Sequence, residues 1–192
     1  MKYEIGYALC SLAFLSVVAF HYFRKKRYPD LQNRIYSVVM ILALADLILD
    51  IAGSWTIMNA AALPPWINYV LNTPFYIIQS VLPLAVFLYV LAVAGELGSH
   101  RRPMLVAAML PASLNVLAIL LNPATRWIFS VEAGQPYLRG PYFSLLFLTF
   151  AFYLSVSLLA LFCFRKRFLR TQFITILVFL SFVGIGVFIQ FL

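Results

Sequence analysis

Six stretches of this chain are almost free of charge: Ile5–Phe23, Ile35–Ile57, Phe75–Ala94, Met104–Leu121, Tyr142–Phe164 and Gln172–Leu192. Each holds roughly 18–23 residues, enough at 1.5 Å per residue to cross a hydrocarbon core of about 30 Å. Their apolar positions run continuously rather than alternating, which argues against a barrel, whose strands place lipid-facing and lumen-facing residues in turn. A helix pairs its backbone polar groups within the segment, as lipid requires. The pattern therefore predicts an all-α, polytopic transmembrane bundle of about six spans, forming one domain over residues 1–192. A short β-hairpin is predicted at 127–139, where Trp127–Val131 and Tyr137–Arg139 flank Glu132-Ala133-Gly134-Gln135. It would lie as a lid over one mouth of the bundle; an irregular loop is the alternative. The connection from Met58 to Pro74 reads as a second long loop, with Pro64-Pro65 and the interfacial aromatics Trp66 and Tyr69. Pro83 and Pro111 fall inside spans, where each removes a backbone donor and favours a kink.

Composition agrees with this pattern. Hydrophobic residues make up 64% of the chain and charged ones 10%, with a mean hydropathy of +0.96. Soluble domains are about 45–50% apolar and about 25% charged, and a chain this short cannot hide such an excess in a water-soluble core. The net charge of +8 does not point to nucleic acid, because no polar domain carries it. It sits in short clusters between spans. Eleven Lys and Arg fall in the first–second, third–fourth and fifth–sixth connections, among them Arg24–Arg27, Arg101-Arg102 and Arg165–Arg167. Only Lys2, Arg126 and Arg139 fall on the other side. Basic loops stay cytoplasmic, so the N-terminus is expected outside the inner or plasma membrane. Arg24–Arg27 directly after the first run, with no small-residue cleavage site, marks a retained helix rather than a cleaved signal. Six spans starting outside also end outside, so a cytoplasmic output would require a seventh span beyond Leu192.

Asp46 and Asp50 carry the most chemistry. They lie one turn apart on one face of the second span, and a carboxylate near a helix centre costs about 2.5–3.5 kcal/mol on insertion. They should therefore face the bundle interior, where Gln79, Ser80, Asn115 and Ser54 can donate to them. Either they form a ligand, ion or proton-sensitive site, or they act as polar glue between helices. Glu96, with His100, Arg101 and Arg102 nearby, reads as a solvated surface ion pair, and His21 as an interfacial anchor. Cys10 and Cys163 read as buried, inert thiols. No phosphate-binding loop, metal-ligand spacing or catalytic set is present in the sequence. No catalytic residue, metal or cofactor is therefore expected, and these residues are not expected to form an enzyme.

Several motifs resemble the multi-helix membrane sensor region that precedes bacterial histidine kinases and GGDEF diguanylate cyclases. They are Asp46–Asp50; Asn122-Pro123; Phe129; Tyr137-x-Arg139-Gly140-Pro141-Tyr142; Tyr153; Arg165–Arg167; Gln172; and Gly186–Gln190. Such regions typically have seven helices with the N-terminus outside. The resemblance implies a receptor that passes a signal to a cytoplasmic output domain in cis. Its expected partners are the lipid bilayer, a small-molecule or peptide ligand of unknown identity, and a second copy as an open option; nucleic acid is not among them. The candidate ligand-binding residues are Asp46, Asp50 and Gln79 in the spans, Asn115 in the fourth span, and Tyr137 and Arg139 in the hairpin. An arginine with a pair of acids suits a polar or zwitterionic ligand. The alternative function is a small transporter or channel component, although the two halves show no internal repeat.

Overall fold

The computed structural model describes residues 5–26, 28, 30–97 and 102–191, with side chains described for all of these except 102 and 186–191. Lys2, Arg27, His100 and Arg101 lie outside the described residues, as do the side chains of Arg102 and of Gly186–Gln190.

Among the described residues the chain is helical apart from one small hairpin. The order is α1 (Ile5–Arg24), α2 (Leu31–Met58), α3 (Pro65–Val93), α4 (Arg102–Leu120), the single turn α5 (Asn122–Thr125), β1 (Phe129–Ser130), β2 (Leu138–Arg139), α6 (Ser144–Cys163), a 3₁₀ turn at Arg165–Arg167, and α7 (Arg170–Phe191). Five of these helices, α1, α2, α3, α4 and α6, are long and apolar enough to cross a membrane; the described side chains of α7 form a shorter apolar stretch, Arg170–Ile185.

Two helices overrun the predicted spans. α2 begins at Leu31, where Asp30 caps it by accepting the Asn33 N–H at 2.7 Å. α3 begins at Pro65, so most of the expected loop from Met58 to Pro74 is helix. Proline at the first helical position has no amide to leave unpaired and its φ suits the helix. The polar residues of this stretch, Asn68 and Asn72, are fully buried rather than solvated, and the Asn72 Nδ2 donates to the Thr56 hydroxyl of α2 at 3.3 Å. At 28 and 29 residues, the two helices reach about 42–44 Å at 1.5 Å per residue.

α3 is the central helix, packed against α2, α4 and α6, whereas α1 packs on α2 and α7 on α6. Gly53 lets α2 and α3 approach closely: a β-carbon there would meet Asn72 Oδ1 at 2.8 Å. One hydrophobic cluster fills the end of the bundle near the basic connections, around Phe87, Val90, Leu91, Tyr153 and Leu161. A second fills the opposite end, around Tyr76, Ile119, Ile128, Phe129 and Leu146.

The predicted hairpin is present, with Phe129 opposite Arg139 and Ser130 opposite Leu138. Gly134 takes a left-handed φ of 74° in its turn. The β1 arm is a plug as much as a lid, since Ile128 and Phe129 are fully buried. Asn122 ties it down: its Oδ1 accepts from the Ile128 and Phe129 amides at 2.7 and 3.1 Å, and its Nδ2 donates to the Phe129 carbonyl at 2.9 Å.

Two expectations are corrected. Cys10 and Cys163 are exposed, not buried, because a helix that is apolar all round presents such residues to lipid as readily as to a neighbour. Glu96 is not a solvated surface group; the side chains of Arg101 and Arg102, its expected partners, lie outside the described residues. It is buried to 4% exposure and pairs with Arg167 from the α6–α7 connection, Nη1 to Oε1 at 2.5 Å. A C-terminal turn places it there: Gly95, at φ 71°, ends α3 and the Glu96 amide donates back to the Leu91 carbonyl at 2.9 Å.

Candidate functional site

α2, α3, α6 and α7 enclose a cavity of about 350 Å³. Asp46 and Asp50 stand on its α2 wall and Gln79 on its α3 wall; Tyr153 and Ser157 come from α6. The rest is apolar and rich in aromatic rings, including Phe75, Phe143, Phe147, Phe150 and Phe179. Around the cavity α2 packs on α3, α3 on α6 and α6 on α7. On the remaining side, between α2 and α7, packing is at most sparse among the described residues.

The two carboxylates are therefore directed inward, as their insertion cost required. The Asp46 Oδ1 atom is shielded from solvent and has no hydrogen-bond partner. Asp50 has the hydroxyl of Ser54, one turn along α2, as a partner. Gln79 is exposed along the cavity wall. Ser80 turns away and donates to the Tyr76 carbonyl of its own helix at 2.9 Å.

The other candidates fall elsewhere. Asn115 is buried at 4% exposure, but no α4 residue lines the cavity among the described residues. α4 packs on α3 and α6, across the bundle from α2, so Asn115 does not join the aspartates. Tyr137 and Arg139 do not line the cavity either; they sit in the hairpin, against Tyr76 and Phe143. The Tyr137 and Tyr76 hydroxyls are 2.6 Å apart, and the Tyr137 ring stacks on Phe129 at 5.5 Å. The Arg139 guanidinium lies 4.6 Å from the centre of the Phe143 ring, and Phe143 is itself part of the cavity wall. The hairpin thus reaches the site through Phe143 rather than by direct contact.

Tyr153 is the residue whose role the residue pattern did not reveal. It is fully buried, and its ring lines the cavity. Its hydroxyl crosses to α4, accepting from the Ala112 amide at 3.2 Å and donating to the Ala108 carbonyl at 2.6 Å. Those two groups form one rung of the helical ladder, immediately after Pro111. A side chain inserted at a rung is one of the few recognised causes of local helix distortion. The only sequence signal is a tyrosine, with a serine four residues on, within a run that is otherwise aliphatic and phenylalanine-rich.

Chemically, the site offers two acids, a neutral amide and two hydroxyls among apolar walls. No three His, Cys, Asp or Glu side chains converge to hold a metal among the described residues. Comparison of the chain with family models, with characterised proteins and with solved structures gives no match. The likeness to sensor regions rests on the sequence motifs alone, and the cavity rests on its own geometry.

Proposed function

We propose that this chain is a membrane-embedded ligand-binding domain of the receptor type, with six spans including α7 and the N-terminus outside. The observation that carries the reading is the cavity: about 350 Å³ enclosed by four helices, with Asp46 and Asp50 on its wall. Ligand pockets are typically apolar hollows of about 300–1,000 Å³ with a few placed polar groups, and intramembrane carboxylates that face an interior space mark functional sites. The basic connections, carrying Arg24–Lys26 and Arg165–Arg167, lie on the cytoplasmic side in this reading, and the hairpin lies outside. Occupancy would be relayed to a kinase or diguanylate cyclase domain outside these 192 residues by a shift between two packed states with different ligand affinity. The likeness of Tyr137–Tyr142, Asp46–Asp50 and the basic cluster to sensor regions supports that output.

The test separates a receptor from a transporter. The protein is reconstituted in lipid nanodiscs for hydrogen exchange with a small-molecule library, and in proteoliposomes for flux of each compound that binds. Compounds that protect the cavity-lining segments without crossing the membrane support the receptor. Saturable flux of the same compounds overturns it in favour of the transporter.

A further inference from the structure

The cavity's polar groups are unbalanced, and the imbalance names a ligand class. This inference rests on the reading of the cavity as the ligand site. The wall carries two carboxylates and, among the described residues, no lysine, arginine or histidine. Arg139, the cation that would have made the site zwitterionic, is drawn off to the face of Phe143 at 4.6 Å. The Tyr153 hydroxyl is engaged by the α4 backbone. The Asp46 Oδ1 atom is buried with no donor in reach. What the cavity lacks is a hydrogen-bond donor carrying positive charge.

The remaining surface restricts the body of the ligand. Phe75, Phe143, Phe147, Phe150 and Phe179 line the space, and aromatic faces attract cations as well as apolar groups. A bare metal ion is a poor match, because both carboxylates come from one helix and no third metal-ligating side chain joins them among the described residues. A peptide or free amino acid would bring a carboxylate with no partner. The side between α2 and α7, where packing is at most sparse among the described residues, gives a route from the bilayer to an amphiphilic molecule already dissolved there.

We infer that the cavity binds a lipophilic amine: a protonated primary or secondary amine on an apolar, aromatic or aliphatic body. The ammonium donates to Asp46 and Asp50, and the body packs among the phenylalanines. Charge complementarity selects the head; the ring-lined walls select the tail.

The probes are 4-phenylbutylamine and its neutral counterpart 4-phenylbutan-1-ol. Each is titrated at pH 7 onto the wild-type protein in phosphatidylcholine nanodiscs, with empty nanodiscs correcting for partition into lipid. The amine should bind at least tenfold more tightly than the alcohol. The doubly substituted Asp46→Asn, Asp50→Asn protein should lose that preference and keep its affinity for the alcohol. Ala43→Phe, which fills the space from the α2 wall, should abolish binding of both. Equal affinities in the wild type, together with loss of both on Ala43→Phe, overturn the amine while leaving the cavity as the ligand site. Binding that survives Ala43→Phe overturns the cavity reading and the amine with it, and so does the absence of binding by either probe. The wild-type comparison decides the ligand class without any variant having to fold.

Discussion

The side chain of Asn122 meets three backbone groups of the β1 arm, at Ile128 and Phe129, and is itself fully buried. Asn122→Ala leaves two amides and a carbonyl to find other partners, and buried groups left unsatisfied cost about 1–3 kcal/mol each at the start of such a series. The expected outcome is an opened hairpin, read as faster tryptic cleavage at Arg126 and Arg139 in nanodiscs. Tyr153→Phe removes one hydroxyl that serves both Ala112 and Ala108. It should lower stability by about 1–3 kcal/mol, measured by denaturant titration in mixed micelles. Neither role was legible in the sequence. A tyrosine in an apolar run is indistinguishable from filler until the neighbouring helix is known. Asn122 was visible only as part of a loop motif, with nothing to say which amides it would meet. Asp46 and Asp50 were legible because burying a carboxylate against lipid is costly enough to dictate which way it faces. Asn115 carries no such penalty, and the sequence could not say which neighbour it would find.

At the scale of elements, hydropathy located every long helix and misjudged where two of them begin. Pro64-Pro65 and the aromatics after them read as a loop, whereas Pro65 opens α3 and the polar Asn68 and Asn72 are buried within it. The same blindness misassigned Glu96. It was expected in solvent beside Arg101 and Arg102, whose side chains lie outside the described residues, whereas it is buried and Arg167 reaches it from beyond α6. The pair is asymmetric, with the acid buried at 4% and the arginine side chain exposed at 56%. Arg167→Ala removes a cation from beside a buried carboxylate, while Glu96→Gln removes the charge that needs compensation. Arg167→Ala should therefore destabilise more than Glu96→Gln. Its cost should fall on the order of 1–3 kcal/mol, between an exposed and a fully buried pair, with thermal unfolding as the measurement. A helix approach can be tested as directly: Gly53→Leu forces a side chain against Asn72 Oδ1 and should lower the melting temperature by parting α2 from α3.

For the whole molecule, the proposed direction across the membrane rests on the charge count, since packing carries none. The proposed orientation predicts that Gly134→Cys, in the hairpin turn, reacts with a membrane-impermeant maleimide added to intact cells, and that Lys166→Cys reacts only after the cells are opened. The reverse pattern would turn the bundle over and place the hairpin inside. Both variants are read in a background with Cys10 and Cys163 replaced by serine, since both native thiols are exposed on the bundle surface. The sequence could foresee a bundle with an interior polar site, but not which helices wall the cavity, because a space between four helices depends on which faces meet and no periodicity is left when every face is apolar.

Tyr153 belongs to two parts of the molecule at once: its ring is a piece of the cavity wall and its hydroxyl a piece of the α4 backbone ladder. Any occupant that prefers one position of the ring must change how firmly the Ala112 amide is held. By thermodynamic reciprocity, any load placed on α4 must change the occupant's affinity by the same factor. The exchange rate of that single amide proton is thus a gauge, readable from outside, of what the cavity contains.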